Sequence, residues 1–444
     1  MQRIACTDSS KLGTFLRAIG TGFPPIIQID RSLNWLNLET FLYVSRNRSF
    51  SCENPSYQVY HRCAPGGGES GGPRTPNVTR RVQGGLTLRI GLSTGGGDCP
   101  GLNSTIRAIV RYAVGTLGHE VIGIEDSFNG LMERPYRIRS LGLRDVSGIL
   151  NRGGTILGTT NAGNPFKTKP IQVEDPCDKS SKVLEAYKDL GLDCLIVIGG
   201  DGTQTIASQF IPLGLNIIGI PKTIDNDLSQ ADVTVGFETA VEVASDAILR
   251  LQSTAESHDR IMVLEVMGRF AGHIALHSGM ASGAHGILLP EIPFSYDAIL
   301  RKIKERRQMG LNYSVIVVAE GAKEHGAAEP VFQVSASGRK LLGGVGHVVA
   351  EKLSQLTGID TRVTVLGHIQ RGGQPCPRDR ILGTLYGVKA VDLAVNGDFG
   401  QVVVMREHRM QTVRYRDIAN TFRGVAANDM YLGAAESIGI CLGR

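Results

Sequence analysis

From about Leu86 onward, short apolar runs alternate with stretches whose apolar residues recur every three or four positions. The runs 86–93, 194–198, 216–220, 261–266, 286–289, 313–319 and 362–367 predict strands. The stretches 101–115, 203–210, 236–252 and 341–356 predict helices. Alternation of this kind predicts an α/β fold of mainly parallel sheets with helices on both faces, and nearly unbroken apolar strands fit burial from both sides. A chain of 444 residues exceeds one compact core. Two doubly wound domains with a cleft between them are therefore expected.

Polar residues collect immediately after the predicted strands. "GGGDCPG" follows the first, "GGDGT" follows "LIVI", and "PKTIDND" follows "NIIGI". "MGR" follows "IMVLEV", "EGA" follows "YSVIVVA", and "GHIQRGG" overlaps the end of the last run. Ligands of open α/β sheets bind outside the carboxyl ends of strands, so six such clusters predict one shared cleft.

A glycine turn between strand and helix exposes backbone N–H groups that can hold phosphate oxygens. One such loop is a weak signal. Two, around Gly97 and Gly202, point to a polyphosphate or to a donor with several phosphates. Asp201 beside them is a hard oxygen donor suited to Mg²⁺, or a plain helix cap. Asp225 and Asp227 after another strand offer a carboxylate to take a hydroxyl proton. Arg260, Arg269, Arg362, Arg371 and His368 offer donors for a moving phosphoryl group. Any one of them alone would read as a surface charge or a core histidine. Four of the five fall at or beside strand ends; Arg260 precedes its strand.

Composition changes this picture little. A net charge of +5 without a dense basic stripe gives no reason to expect nucleic acid. No apolar run is long enough for a bilayer span, so no membrane is expected. The eight cysteines form no C-x-x-C pair and read as reduced. Residues 1–85 differ: poor periodicity, about twice as many basic as acidic residues, and the Gly/Pro/Ser-rich run 63–77. They read as a disordered or targeting extension. The expected location is the cytoplasm, or a plastid or other organelle if that segment is a transit peptide.

Taken together, "TGGGDCPGLNSTIR", "GGTILGT", "VIGGDGT", "PKTIDND", "ESHDRIMVLEVMGRFAG" and "TVLGHIQRGG" resemble the 6-phosphofructokinase family. The resemblance runs from about residue 86 to the end, in the family's order. It implies transfer of the terminal phosphoryl of ATP, or of pyrophosphate, to the 1-hydroxyl of fructose 6-phosphate, a glycolytic step. Asp225 matches the general base and Asp201 the Mg²⁺ carboxylate. Gly97, Gly200, Gly202, Thr203 and Lys222 match the donor side. Thr223, Ile224, Met267, Gly268, Arg269, Glu320, His368, Ile369, Gln370 and Arg371 match the sugar-phosphate side, with Arg269 and Thr223 also facing the transferring group. Arg260 and Arg362 match residues that the family supplies from a neighbouring subunit, which implies a homodimer or homotetramer with shared sites. The resemblance also implies a donor domain of residues 86–236 plus about 370–420. The sugar domain would then be 237–369 plus about 421–444.

Departures from the family pattern concern the donor and control. Lys222 is typical of pyrophosphate enzymes, whereas Gly202 leaves room for ATP; the mixture occurs in ATP-using members. Asn161 stands where bacterial ATP enzymes have an arginine. Arg107 and Arg111 match two effector-site arginines, but Gln252 replaces a third. An NAD or lipid kinase would use "GGDGT" but leave "PKTIDND" and "GHIQRGG" without a role. A non-catalytic subunit would be expected to have lost Asp225 or Asp201, and both are present.

Overall fold

The computed structural model describes residues 87–168, 177–327, 332–334, 340–418 and 421–444. All lie in the compact unit Asn77–Arg444. The reading of residues 1–85 as an extension falls outside the described residues.

Among the described residues, thirteen strands form two main sheets and a hairpin. The larger sheet holds β1 (Arg89–Thr94), β2 (Glu120–Ile124), β3 (Ile138–Ser140), β4 (Cys194–Gly199), β5 (Ile217–Pro221), β12 (Gln401–Arg406) and β13 (Arg409–Arg414). Its order is β13-β12-β5-β4-β1-β2-β3, parallel except for the two edge strands. The smaller sheet, β11-β6-β8-β7, is all parallel: β6 (Ile261–Val266), β7 (Gly286–Leu288), β8 (Ser314–Ala319) and β11 (Thr361–Val365). β9 (Phe332–Val334) and β10 (Lys340–Leu342) pair antiparallel beside it in sequence.

Helices of eight residues or more are α1 (Leu102–Val110), α2 (Ser180–Asp189), α3 (Asp201–Phe210), α4 (Phe237–Ser257) and α5 (His273–Ala281). They continue with α6 (Tyr296–Gln308), α7 (Val345–Thr357), α8 (Pro377–Asn396) and α9 (Met430–Ser437).

Strand alternation sorts side chains into cores on opposite faces. In β4, Cys194, Ile196 and Ile198 enter one core with α1, α4 and α8, while Leu195 and Val197 enter another with α3. In β6, Met262, Leu264 and Val266 join that first core, and Ile261 and Val263 face α6 and α7. One hydrophobic core is thus shared between the two sheets. All six residues of β4 are buried, which explains its unbroken apolar run.

Boundaries moved where glycine or hydrogen bonding intervened. The helix expected at 101–115 is α-helical only to Val110, then continues as wider turns over Arg111–Thr116, closed by Leu117 N–H on Tyr112 C=O. The helix expected at 341–356 begins at Val345, because Gly343 and Gly344 both have positive φ and residues 340–342 belong to β10. β11 stops at Val365; Gly367, at φ 48°, turns the chain into a short 3₁₀ helix, Gly367–Arg371. The β12–β13 hairpin gave no turn signal: its tip, Glu407-His408, takes the positive φ values that Asn-Gly usually supplies. Among the described residues all five cysteines are free, and no helix is long and apolar enough to cross a membrane.

Candidate active site

β1, β4 and β5 are parallel neighbours, so their carboxyl ends lie side by side. The loops that follow enclose a cavity of about 250 Å³. Its wall includes Gly97, Gly200, Asp201, Gly202, Thr203, Lys222, Thr223, Ile224 and Arg371. Every residue expected on the donor side is therefore brought together. Ser127, Phe128, Asn161 and Asn164 also line it. Only Asn161 among these was singled out from the sequence, since the others sit in no phosphate-loop motif.

The glycines are there for close approach. A Cβ on Gly97 would overlap the Arg371 guanidinium, whose Nη1 donates to the Asp98 carbonyl at 3.3 Å. Arg371 Nε is buried without a hydrogen-bond partner. Arg371, expected on the sugar side, reaches the Gly97–Asp98 loop. Asp201 opens α3 from an exposed position in the helix's first turn, where an acid complements the helix dipole. Lys222 is buried, and its ammonium donates to the Gly97 carbonyl. Burial lowers its pKa; Cys99 beside it opposes that shift.

The loop carrying Asp225 leaves β5 at Pro221. Thr234 Oγ1 donates to the Thr223 carbonyl at 2.6 Å, and Asp225 N–H donates to Thr223 Oγ1 at 3.2 Å. Asn226 takes φ 53°, which turns the chain sharply past Asp225. Asp225 Oδ1 is buried and unpartnered. Burial pushes the Asp225 carboxyl up to about 6, helped by the Asp227 carboxylate and opposed by Arg371 and Lys222. Burial also raises Asp227, which the charge of Asp201 pushes in the same direction. Ile224 is buried in the core, so its side chain serves packing.

The second sheet supplies the facing loops. β6, β8 and β11 are parallel neighbours, and Met267, Glu320 and Gly367 follow their carboxyl ends. Gly321 packs so tightly on the Arg269 carbonyl that a Cβ there would overlap it. Gly268, at φ 135°, makes this turn. Gln370 is fully buried; its Oε1 accepts from Met267 N–H at 3.3 Å, so it shapes the loop from behind. Burial pushes Glu320 up to about 7, reinforced by Asp225 and Glu265. Asp225 and Glu320, carried by different sheets, therefore lie within electrostatic reach of one another. Arg269, His368 and Ile369 are exposed, and the Arg269 guanidinium lies 4.9 Å from the Phe270 ring centroid.

Two expected residues are not brought to this cleft. Arg260 and Arg362 sit at the amino ends of β6 and β11, opposite the loops just described. Both are held by one carboxylate: Arg260 Nε to Asp360 Oδ2 at 2.6 Å, Arg362 Nη1 to Asp360 Oδ1 at 2.9 Å. Gln252 is also committed, donating to the Ser282 carbonyl at 2.6 Å, while Arg111 is exposed.

A cleft at the carboxyl ends of two parallel α/β sheets, with glycine loops and the Asp225 carboxyl on one wall and the Met267–Arg269 and Glu320 loops on the other, fits an enzyme that transfers phosphoryl groups to an alcohol. The phosphofructokinase family model matches residues 89–394, and the chain belongs to that family. ATP-dependent 6-phosphofructokinase 1 of Synechocystis sp. is 45% identical over 357 residues, 80% of this chain and 98% of that protein. ATP-dependent 6-phosphofructokinase of Chloroflexus aurantiacus is 49% identical over 358 residues, with the same coverage of 80% and 98%. Among solved structures, Pichia pastoris phosphofructokinase in the T-state aligns with a TM-score of 0.66 at 29% identity, covering 81% of this chain and 38% of that one. A pyrophosphate-dependent phosphofructokinase from Marinobacter aquaeolei aligns with a TM-score of 0.65 at 19% identity, covering 80% and 92%. At that identity it speaks for the fold alone.

Proposed function

We propose that the protein is an ATP-dependent 6-phosphofructokinase that converts fructose 6-phosphate to fructose 1,6-bisphosphate. The observation that carries the reading is Asp225: a buried carboxyl with a free oxygen, held at the carboxyl end of β5 beside the phosphate-loop cavity. In this reading Asp225 accepts the proton of the sugar 1-hydroxyl as its oxygen bonds to the γ-phosphorus. The bond to the β-phosphate oxygen breaks, and ADP leaves with the electron pair. A carboxyl raised to about 6 is ionised at neutral pH yet basic enough to hold the proton.

Thr223 and Arg269 are read as donors to the transferring group. Met267, Gly268, Glu320, His368 and Ile369 are read as the sugar-phosphate side, with Gln370 supporting them. Arg371, against Gly97 and Asp98, is read as bridging donor and acceptor. The larger sheet is read as the donor half and the smaller as the sugar half. Arg260 and Arg362 face away from their own cleft, which supports their reaching a second copy in a homodimer or homotetramer.

The residues present fit Mg²⁺. Asp201 is an exposed hard donor on the cavity wall, and no group of three metal-binding side chains occurs among the described residues. That matches an ion that keeps water and takes most of its other ligands from phosphate. Asp201 would hold it, and when bound it would neutralise charge on the phosphates. Two features support ATP over pyrophosphate: the open position at Gly202, and the use of the Lys222 ammonium to tie Gly97. The test is fructose 6-phosphate turnover with ATP and with pyrophosphate in parallel. Turnover with ATP is expected. Activity with pyrophosphate alone, or with neither, would overturn the reading.

A further inference from the structure

The segment Thr421–Val425 touches loops from both sheets. Along one side it runs antiparallel to the base loop. Phe422 pairs with Leu228, the Ser229 and Thr421 hydroxyls meet, and Arg423 N–H donates to the Asp227 carbonyl at 2.8 Å. The Arg423 guanidinium donates through Nη2 to the carbonyls of Asn226 at 3.2 Å and Asp232 at 3.1 Å. Asn226 directly follows Asp225 at φ 53°, and its side chain ties this turn to Asp232 C=O at 3.1 Å and Thr234 N–H at 3.0 Å, so the Arg423 contacts add to a turn already anchored on one side.

Along its other side the segment reaches the sugar loop. Val425 N–H donates to Glu291 Oε1 at 2.7 Å. The same carboxylate accepts from Gly272 N–H at 3.0 and 3.2 Å. Gly272 ends the loop that begins at Met267 and carries Arg269, and it caps α5. His273, the first residue of α5, meets the Arg423 carbonyl through Nε2 at 3.3 Å. The Phe270 and Phe422 rings meet edge to face, centroids 6.2 Å apart.

We propose that Arg423 and Glu291 are positioning residues for phosphoryl transfer. Through the strap Thr421–Val425 they fix the loop carrying Asp225 relative to the loop carrying Met267 and Arg269. The proposal rests on Asp225 being the base. Neither residue lines the donor cavity, so their effect is on the geometry between base and sugar. The Asn226 and Asp232 carbonyls are both held by the one Arg423 Nη2, whose two N–H groups lie in the guanidinium plane and fix them in one arrangement.

The experiment compares Arg423→Met, Glu291→Ala, which removes the acceptor shared by Val425 and Gly272, and the double variant. Each single change is expected to lower kcat roughly 10- to 100-fold, the scale of a base misplaced by about 1 Å. The KM for ATP should stay within about 2-fold, since the donor loops are untouched. The double variant should be no worse than the worse single one, because both changes cut one strap. Amide exchange at residues 225–228 should accelerate in Glu291→Ala, although Glu291 contacts none of them. Thermal melting in the same buffer gives the folded fraction. Unchanged kcat per folded enzyme, losses that multiply, or unchanged exchange at 225–228 in Glu291→Ala would each overturn the strap. Exchange is read without substrate. A wild type inactive on fructose 6-phosphate would therefore count against the proposed function, while the exchange result still decides the strap.

Discussion

Replacing Gly202 by aspartate separates charge from bulk at the donor site. Gly202 is exposed in the first turn of α3, and a Cβ there would meet nothing within 4 Å. The side chain therefore fits without moving backbone, so the cramped turn expected from the glycine motif plays no part. An acid in a helix's first turn adds about 0.3–1 kcal/mol of stability, so Tm should hold or rise. The cost falls on the ligand. Two negative charges about 5 Å apart repel by roughly 3 kcal/mol at an effective dielectric constant of about 20. Screening by Mg²⁺ and by neighbouring cations leaves about 2–3 kcal/mol. That is roughly a 30- to 150-fold loss of kcat/KM for ATP. Pyrophosphate ends short of the α-phosphate position and should lose much less. The assay is kcat/KM for both donors in the wild type and in Gly202→Asp, with Tm as the folding control. Equal losses for both donors, or a wild type that prefers pyrophosphate, would refute the reasoning.

Further outcomes follow from buried groups and from the arginine pair. Asp225→Asn should lower kcat by about 10²–10⁴-fold with little change in fructose 6-phosphate KM. The wild-type rate should itself fall as pH drops below about 6 and the base protonates. Because the folded pKa lies above the ordinary 3.8, the folded state holds a proton that the unfolded chain releases, and stability is lost as pH rises between those values. The same variant should therefore raise Tm at pH 8 and leave it unchanged at pH 4; the opposite pattern would place the Asp225 pKa below its ordinary value. Asp379 is fully buried and accepts from Gly236 N–H at 2.9 Å, Thr239 N–H at 2.8 Å and Thr239 Oγ1 at 2.6 Å. Asp379→Ala leaves three donors stranded and should cost about 2–4 kcal/mol in urea unfolding, and a loss under about 1 kcal/mol would show that the site relaxes. Mixing inactive Asp225→Asn subunits with inactive Arg260→Ala subunits should restore activity, because some mixed sites carry neither lesion; mixed oligomers that form and stay inactive would exclude a shared site.

The sequence by itself carried whatever rests on local repetition. Apolar runs marked β1, β4, β5, β6, β7 and β8, because strands buried on both faces need uninterrupted apolar residues. β11, a partly exposed edge strand, was marked only by its alternating valines. The glycine loops were legible because close approach to phosphate or to a neighbouring loop tolerates no side chain, as at Gly97 and Gly321. β2, β3, β12 and β13 were not among the expected strands: β3 and β13 are half solvated and partly charged, and β2 and β12, though buried in the middle, begin on polar residues and carry only short apolar stretches. Only the tertiary structure decided which partner each polar group found. Arg371 was drawn to the donor loop, Lys222 was spent on the Gly97 carbonyl, and Arg260 and Arg362 were gathered by Asp360 at the far end of their strands. Arg423 and Glu291 lie in stretches without a motif, and their role exists only because the chain's last segment returns between the two sheets' loops. Hydrophobic period is a property of neighbours in sequence, whereas a hydrogen-bond partner more than a hundred residues away is chosen by the packing that brings it there.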